Sequence, residues 1–212
     1  MLLTRDPEHA RKKMPQTCNR SDIHLIAGDI CHFATPVGRF DLCIHAAAHV
    51  GDPSKSAQPL SAFDSIVTGT RRALDIASAS GACRFLLTSS GAVYGVQPSN
   101  LERVPETYSG APDSLSPDAA YGNGKRAAEW LAATYASEAS QAGLGTCSAR
   151  IFALLGPGLP FNGPFAAGNF IRDALQNRDI HLHGDGRPLR SYLYMADLCV
   201  WLLHILEEGR SG

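Results

Sequence analysis

The stretch AAYGNGKRAAEW (119–130) places Tyr121 four residues before Lys125 in an alanine-rich, helix-forming segment. At that spacing two side chains leave one face of a helix with their Cβ atoms about 5 to 6 Å apart. A phenol, with an ordinary pKa of about 10, is a poor base near neutrality. A cation held beside it favours the phenolate. The pair therefore reads as a candidate proton-transfer unit. Ser90, at the end of CRFLLTSS, offers a hydroxyl that can hydrogen-bond the oxygen whose proton moves, which is general acid/base catalysis with an auxiliary donor. On spacing alone a chance pair on a solvated helix face stays open. GNGKRA (122–127) formally matches Gly-x-Gly-x-x-Ala. It follows a loop and not a strand, so it lacks the setting of a phosphate-cradling turn.

The elements that must position these residues alternate. DIHLIAGDI (22–30) and FDLCIHAAA (40–48) are short apolar runs ending in small or turn residues, as buried parallel strands do. PLSAFDSIVTGTRRALDIASAS (59–80) spaces its apolar residues at three and four and stops before Gly81, which predicts a helix with a C-terminal glycine. CRFLLTSS (83–90) reads as a strand, 91–118 as a long loop, and 119–141 as a helix. GLGTCSARIFALLG (143–156) is a further strand, FAAGNFIRDALQN (165–177) a helix, IHLHGDG (180–186) and RSYLYM (190–195) short strands, and ADLCVWLLHILEE (196–208) a closing helix. Such alternation predicts an α/β fold: a Rossmann-like, mainly parallel sheet with helices on both faces. Ligands of such sheets sit outside the carboxyl ends of the strands, so GDI, HAAAHV and SSGAVYG should line one crevice.

Composition narrows the partners. With 212 residues, 44% apolar, 18% charged and a net charge of -1, the chain can bury a core but carries no basic stripe. Neither nucleic acid nor an anionic membrane is expected as a partner. No run reaches the roughly 18 apolar residues of a membrane span, and the start has no signal-peptide core, so the expected location is cytoplasmic. Cys18, Cys31, Cys43, Cys83, Cys147 and Cys199 form no Cys-x-x-Cys pair. Reduced, buried thiols are expected. His45 and His49 are four apart, and His181 and His183 alternate, but neither pair has a third ligand at a metal spacing, so no metal is expected.

LLTSSGAVYG, then YGNGK some thirty residues on, then ARIFALLGPG and GDGRPLRSYLYMADL, resemble the extended short-chain dehydrogenase/reductases, specifically the NAD-dependent epimerase/dehydratase family acting on nucleotide sugars. The resemblance runs from about Leu2 to Leu206. It implies a Rossmann domain (1–152) and a partial substrate lobe (153–212), with the last helix packing near the sheet. By position, Tyr121 resembles the catalytic acid/base. Lys125 resembles the residue that assists it and grips the nicotinamide ribose, and Ser90 the one that holds the sugar hydroxyl. Asp29 and Ile30 resemble the adenine-contacting pair, and Ala46, Ala47 and Ala48 the small-residue loop beside the cofactor. Asn169 and Arg190 resemble the residues that hold a substrate diphosphate.

The cofactor so implied is NAD. Arg5, just after the segment LLT, can accept a 2′-phosphate and keeps NADP open, with Asp6 adjacent. The implied activity is a nucleotide-sugar epimerase or oxidoreductase working by hydride transfer at a sugar carbinol, usually C4, and the implied assembly is a homodimer. Gly91 and Ala92 stand where dehydratases and decarboxylases of this type carry acidic residues, which disfavours those two reactions. Asp197, Tyr192 and Tyr194 read as structural, the tyrosines as strand packing residues. Ala153 and Ile66 replace asparagines of the family pattern. The family's opening strand, glycine-rich turn and helix are not found, and LLTRDP resembles the end of its second strand. A fragment or a displaced start is expected, with the HLIAGDI and LCIHAAA strands separated and tight NAD binding lost. The alternative, from another class, is a catalytically silent Rossmann-like binding or regulatory protein.

Overall fold

In a computed structural model the chain is described over residues 1–47, 58–138, 143–163, 165–182, 184–187 and 189–212. Seven strands and six α-helices lie within these residues, and every strand pairing is parallel. Strand β1 (Leu2–Thr4) pairs with β2 (Leu25–Ala27). Strands β3 (Leu42–His45), β4 (Arg84–Ser90) and β5 (Gly145–Ile151) form a second sheet in that spatial order. As the sequence predicts, the HLIAGDI and LCIHAAA strands fall in different sheets. The strand predicted over 143–156 is divided at Phe152, because β6 (Ala153–Leu155) leaves β5 to pair with β7 (Tyr192–Tyr194).

Central β4 is apolar on both faces because both faces are covered. On one side Phe85 and Leu87 pack with Ile66, Leu74 and Ala77 of α3 (Pro59–Ala79) and Ala128, Leu131 and Ala132 of α4 (Ala120–Glu138). On the other, Leu86 meets Leu206 of α6 (Met195–Glu208), together with Cys147 and Ala149 of β5. Full burial of a side chain such as Leu74 contributes about 1.5 to 3 kcal/mol, and the cluster it belongs to holds α3 and α4 against one face of β4. Arg84 secures α6 by donating to the carbonyls of Leu206 at 2.7 Å and Gly209 at 2.6 Å.

Other expectations are corrected. The segment 7–18 forms two short helices, α1 (Pro7–Lys13), capped by Asp6, and α2 (Pro15–Cys18), where no helix is predicted. No strand forms in the described part of IHLHGDG, whose leucine, Leu182, is exposed and has no core to face. Helix α5 (Ala166–Leu175) lies within its predicted range. All six cysteines are free, as expected, but only Cys18 and Cys147 are buried; Cys31 and Cys43 are half-buried, and Cys83 and Cys199 are exposed. No helix among the described residues is long and apolar enough to cross a membrane.

Candidate active site

The carboxyl end of β4 and the first turns of α4 meet at one place. Ser90 ends β4 and caps a 3-10 turn (Gly91–Tyr94): its Oγ accepts from the Ala92 N–H at 3.2 Å, which leaves the hydroxyl proton free to donate. Helix α4 approaches this turn closely because residue 122 is glycine. A Cβ there would stand 2.8 Å from the Ala92 carbonyl oxygen and 2.7 Å from Pro112 Cγ. Gly124 similarly faces Ile66 of α3. The two glycines of the GNG stretch are thus helix-packing residues, in keeping with the absence of a phosphate-binding turn there. Gly91 is also constrained, since a Cβ would lie 2.6 Å from the Phe152 ring.

Tyr121 is partly buried against the core formed by α3, α4 and β4, in the first turn of α4. Lys125, one turn on, is 2% exposed. Its Nζ donates to the Thr88 carbonyl at 2.6 Å and lies 6.0 Å from the centre of the Tyr121 ring. Burial pushes the Lys125 ammonium below the ordinary lysine range, and Glu129 opposes that by favouring the charged form. A buried ammonium with one carbonyl partner among the described residues keeps further N–H donors for a ligand.

Three neighbours of this pair were not assigned to it from the sequence, where His45 was weighed only as half of a metal pair. His45, at the end of β3, is buried, hydrogen-bonds Thr70 Oγ1 at 3.2 Å, and is held down to a pKa of about 4 by burial and by Lys125. Glu129 accepts from Ser89 Oγ at 2.5 Å, and Arg150 grips it through Nε and Nη2 at 2.8 to 3.2 Å. Glu129 was visible in principle, eight residues after Tyr121 and four after Lys125 on the same helical face. Arg150 carried no such signal, because the register of β4 on β5 is what places it opposite Ser89.

The remaining candidates divide between two cavities and the sheet edge. Arg5 and Asp29 line a cavity of about 910 Å³ with His32, Asp64 and Thr68. Asp29 also caps its own turn, accepting from Cys31 N–H at 2.9 Å, while Ile30 directs its side chain at Gly69 of α3. Ala46 and Ala47 follow β3 and are exposed; Ala48, His49 and His183 lie outside the described residues. Asn169 and Arg190 share a second cavity, of about 1420 Å³, with Arg172, His181 and Tyr192. Asn169 is held by Gly163 O and by Arg172, whereas Arg190 is exposed. Tyr192 and Tyr194 are 48% and 50% exposed, so they are not the packing residues expected. Among the described residues their strand has only β6 beside it.

Residues 2–212 match the NAD dependent epimerase/dehydratase family. A UDP-glucuronic acid decarboxylase 1 of Arabidopsis thaliana is 31% identical over 172 residues, covering 81% of this chain and 38% of the relative. The chain thus spans well under half the length of that relative. Among solved structures, a UDP-N-acetylglucosamine 4-epimerase from Methanobrevibacter ruminantium M1 superposes with a TM-score of 0.79 at 23% identity, over 94% of this chain and 63% of that one. MoeE5 in complex with UDP-glucuronic acid and NAD superposes with a TM-score of 0.71 at 27% identity, over 88% and 59%. These likenesses bear out the Rossmann-like α/β expectation. They do not support disfavouring decarboxylase or dehydratase chemistry from Gly91 and Ala92, since several relatives are decarboxylases. Loss of CO₂ from a carboxylate on the carbon beside a ketone is driven by that ketone, so it requires no carboxyl side chain at either position.

Proposed function

The chain belongs to the NAD-dependent epimerase/dehydratase family, and from that premise we propose that it serves oxidation of a nucleotide-sugar carbinol, with Tyr121 as acid/base, Lys125 as its cationic partner and Ser90 as the donor to the sugar hydroxyl. One observation carries the reading: a buried ammonium, fixed to Thr88 O at 2.6 Å, stands one helical turn from a tyrosine where α4 closes on the Ser90 turn. A charge kept in so dry a place costs folding free energy, and a site that needs a cation beside a phenol explains why it is retained.

The donor set suits a dinucleotide at its adenosine end. Arg5 and Asp29 share one cavity and supply a cation for a phosphate and a carboxylate for ribose or adenine donors. NAD or NADP, when bound, supplies a hydride acceptor. Tyr121 takes the proton of the sugar hydroxyl and Ser90 holds that oxygen by hydrogen bond. Lys125 stabilises negative charge on the phenolic oxygen and offers its remaining N–H donors to the ribose. Asn169 and Arg190 face the larger cavity, and an amide and a guanidinium suit a diphosphate.

The test is turnover of a panel of nucleoside-diphosphate sugars, read as reduced nicotinamide, as product by mass and as epimers separated by chromatography, for the parent and Tyr121→Phe. Loss of at least about 100-fold in rate is expected for Tyr121→Phe. Equal rates for the two proteins would leave the silent binding protein as the better reading.

A further inference from the structure

We infer that Glu129 and Arg150 are positioning residues for the chemistry proposed above, a carboxylate–guanidinium pair that holds the Tyr121–Lys125 face of α4 in register with the Ser90 end of β4. The inference rests on that proposed function, but its geometry stands independently. Ser89 and Arg150 are direct partners across the β4–β5 pairing. The Glu129 carboxylate accepts from both, at 2.5 Å from Ser89 Oγ and 2.8 Å from Arg150 Nη2, so one side chain of α4 grips two adjacent strands. Lys125 makes the neighbouring grip, on Thr88 O, one turn earlier.

Arg150 extends the tie to the chain leaving Ser90. Its Nη1 donates to Tyr94 OH at 2.8 Å and to Glu106 O at 3.1 Å, and its guanidinium carbon lies 4.7 Å from the centre of the Tyr94 ring. Arg126, on α4 between the two catalytic candidates and Glu129, adds bonds to Val93 O and Gly110 O. Helix, strand end and outgoing segment therefore meet at a pair whose side chains are 33% and 14% exposed. Planar bidentate geometry fixes orientation as well as distance. A shift of about 1 Å between an acid/base and its auxiliary donor costs on the order of 100-fold in rate.

Glu129 favours the charged form of Lys125 and is itself paired with Arg150, so substitutions at the two positions are expected to move Lys125 in opposite directions, which separates this role from simple support of the fold. The groups facing Lys125 are Tyr121 and Glu129 on α4 and His45 on β3, with Arg150 behind Glu129. Removing the Glu129 charge takes away attraction, and removing the Arg150 charge unmasks it.

The experiment compares Glu129→Gln, Arg150→Met and Arg150→Lys with the parent in the 212-residue chain. Three readouts are used: the Lys125 Nζ titration by heteronuclear NMR, amide exchange over 91–110, and kcat against KM. Expected are a lowered Lys125 titration in Glu129→Gln and a raised one in Arg150→Met. Amide exchange should be about 10-fold faster over 91–110 in Arg150→Met. In both variants kcat should fall at least about 10-fold with KM for cofactor little changed. Arg150→Lys should restore the Lys125 titration but only part of the exchange protection. Titrations moving in one direction in both variants, or kcat unchanged in variants of a parent that outpaces Tyr121→Phe, would overturn the inference. A parent no faster than Tyr121→Phe would instead remove the proposed function beneath it.

Discussion

Lys125 donates to the backbone carbonyl of Thr88 at 2.6 Å from a position 2% exposed to solvent. The contact joins α4 to β4, yet burial makes the ammonium less favourable there than in the unfolded chain. A lysine whose folded pKa lies below its unfolded value binds protons more weakly when folded, so its charge opposes folding at neutral pH. Replacing it with an apolar chain of similar length removes that cost at the loss of one hydrogen bond. Lys125→Met is therefore expected to keep or raise stability in urea unfolding, while lowering turnover at least about 100-fold. A large loss of stability would show that the bond to Thr88 outweighs the burial of charge.

Gly122 sets how closely α4 approaches the Ser90 turn, and alanine there should be harmful despite its better helix propensity. The substitution gains about 1 kcal/mol of propensity but places a methyl 2.8 Å from the Ala92 carbonyl, in a backbone contact that cannot rotate away. Overpacking of this kind costs about 1 to 3 kcal/mol. Gly122→Ala is expected to be less stable by chemical denaturation and to lose kcat as α4 is pushed off the turn. Gly124→Ala, at 3.3 Å from a flexible Ile66 methyl, should be nearer neutral.

The alternation of strands and helices was legible because β4, covered on both faces, carries the apolar run Phe85, Leu86 and Leu87, and α3 carries its buried residues at helical spacing. The candidate site was legible where its residues are local: Tyr121 and Lys125 lie on one helix, and Ser90 ends the strand that helix covers. What was not legible depends on distant pairing. Arg150 meets Glu129 through the β4–β5 register, 21 positions apart in the chain, and no spacing rule anticipates that. Helices α1 and α2 were missed because each buries a single residue, Ala10 and Cys18, and so shows no apolar period. IHLHGDG misled in the opposite way, alternating apolar and polar residues like a strand, while among the described residues no strand pairs with it.

Arg5 and Asp6 are adjacent in sequence but differently engaged. Asp6 accepts from the His9 N–H at 2.9 Å and caps α1, while Arg5 lines the cavity that holds Asp29. The cation is thus the member of the pair that borders that cavity. Arg5→Ala is expected to weaken NADP binding about 10-fold, the scale of one charge-assisted hydrogen bond, and to leave NAD binding within about twofold. Competition titrations with the two dinucleotides measure this, and equal weakening of both would place Arg5 away from the 2′ position.

His45 supplies a pH dependence that belongs to folding and not to catalysis. It is 4% exposed, hydrogen-bonded to Thr70 and close enough to Lys125 for the ammonium to oppose its protonation. Its pKa falls from 6.5 to about 4 on folding. The unfolded chain therefore binds more protons between those values. The contribution of neutral His45 is complete above pH 6.5 and is lost as pH falls toward 4, on the order of 3 kcal/mol in all. Urea unfolding followed from pH 7 to pH 4 should show this decline, and His45→Gln, which cannot titrate, should flatten it. The imidazole C–H resonance read directly in the folded protein gives a second measure: a midpoint near 6.5 would mean that the ring is solvated and that Lys125 does not face it.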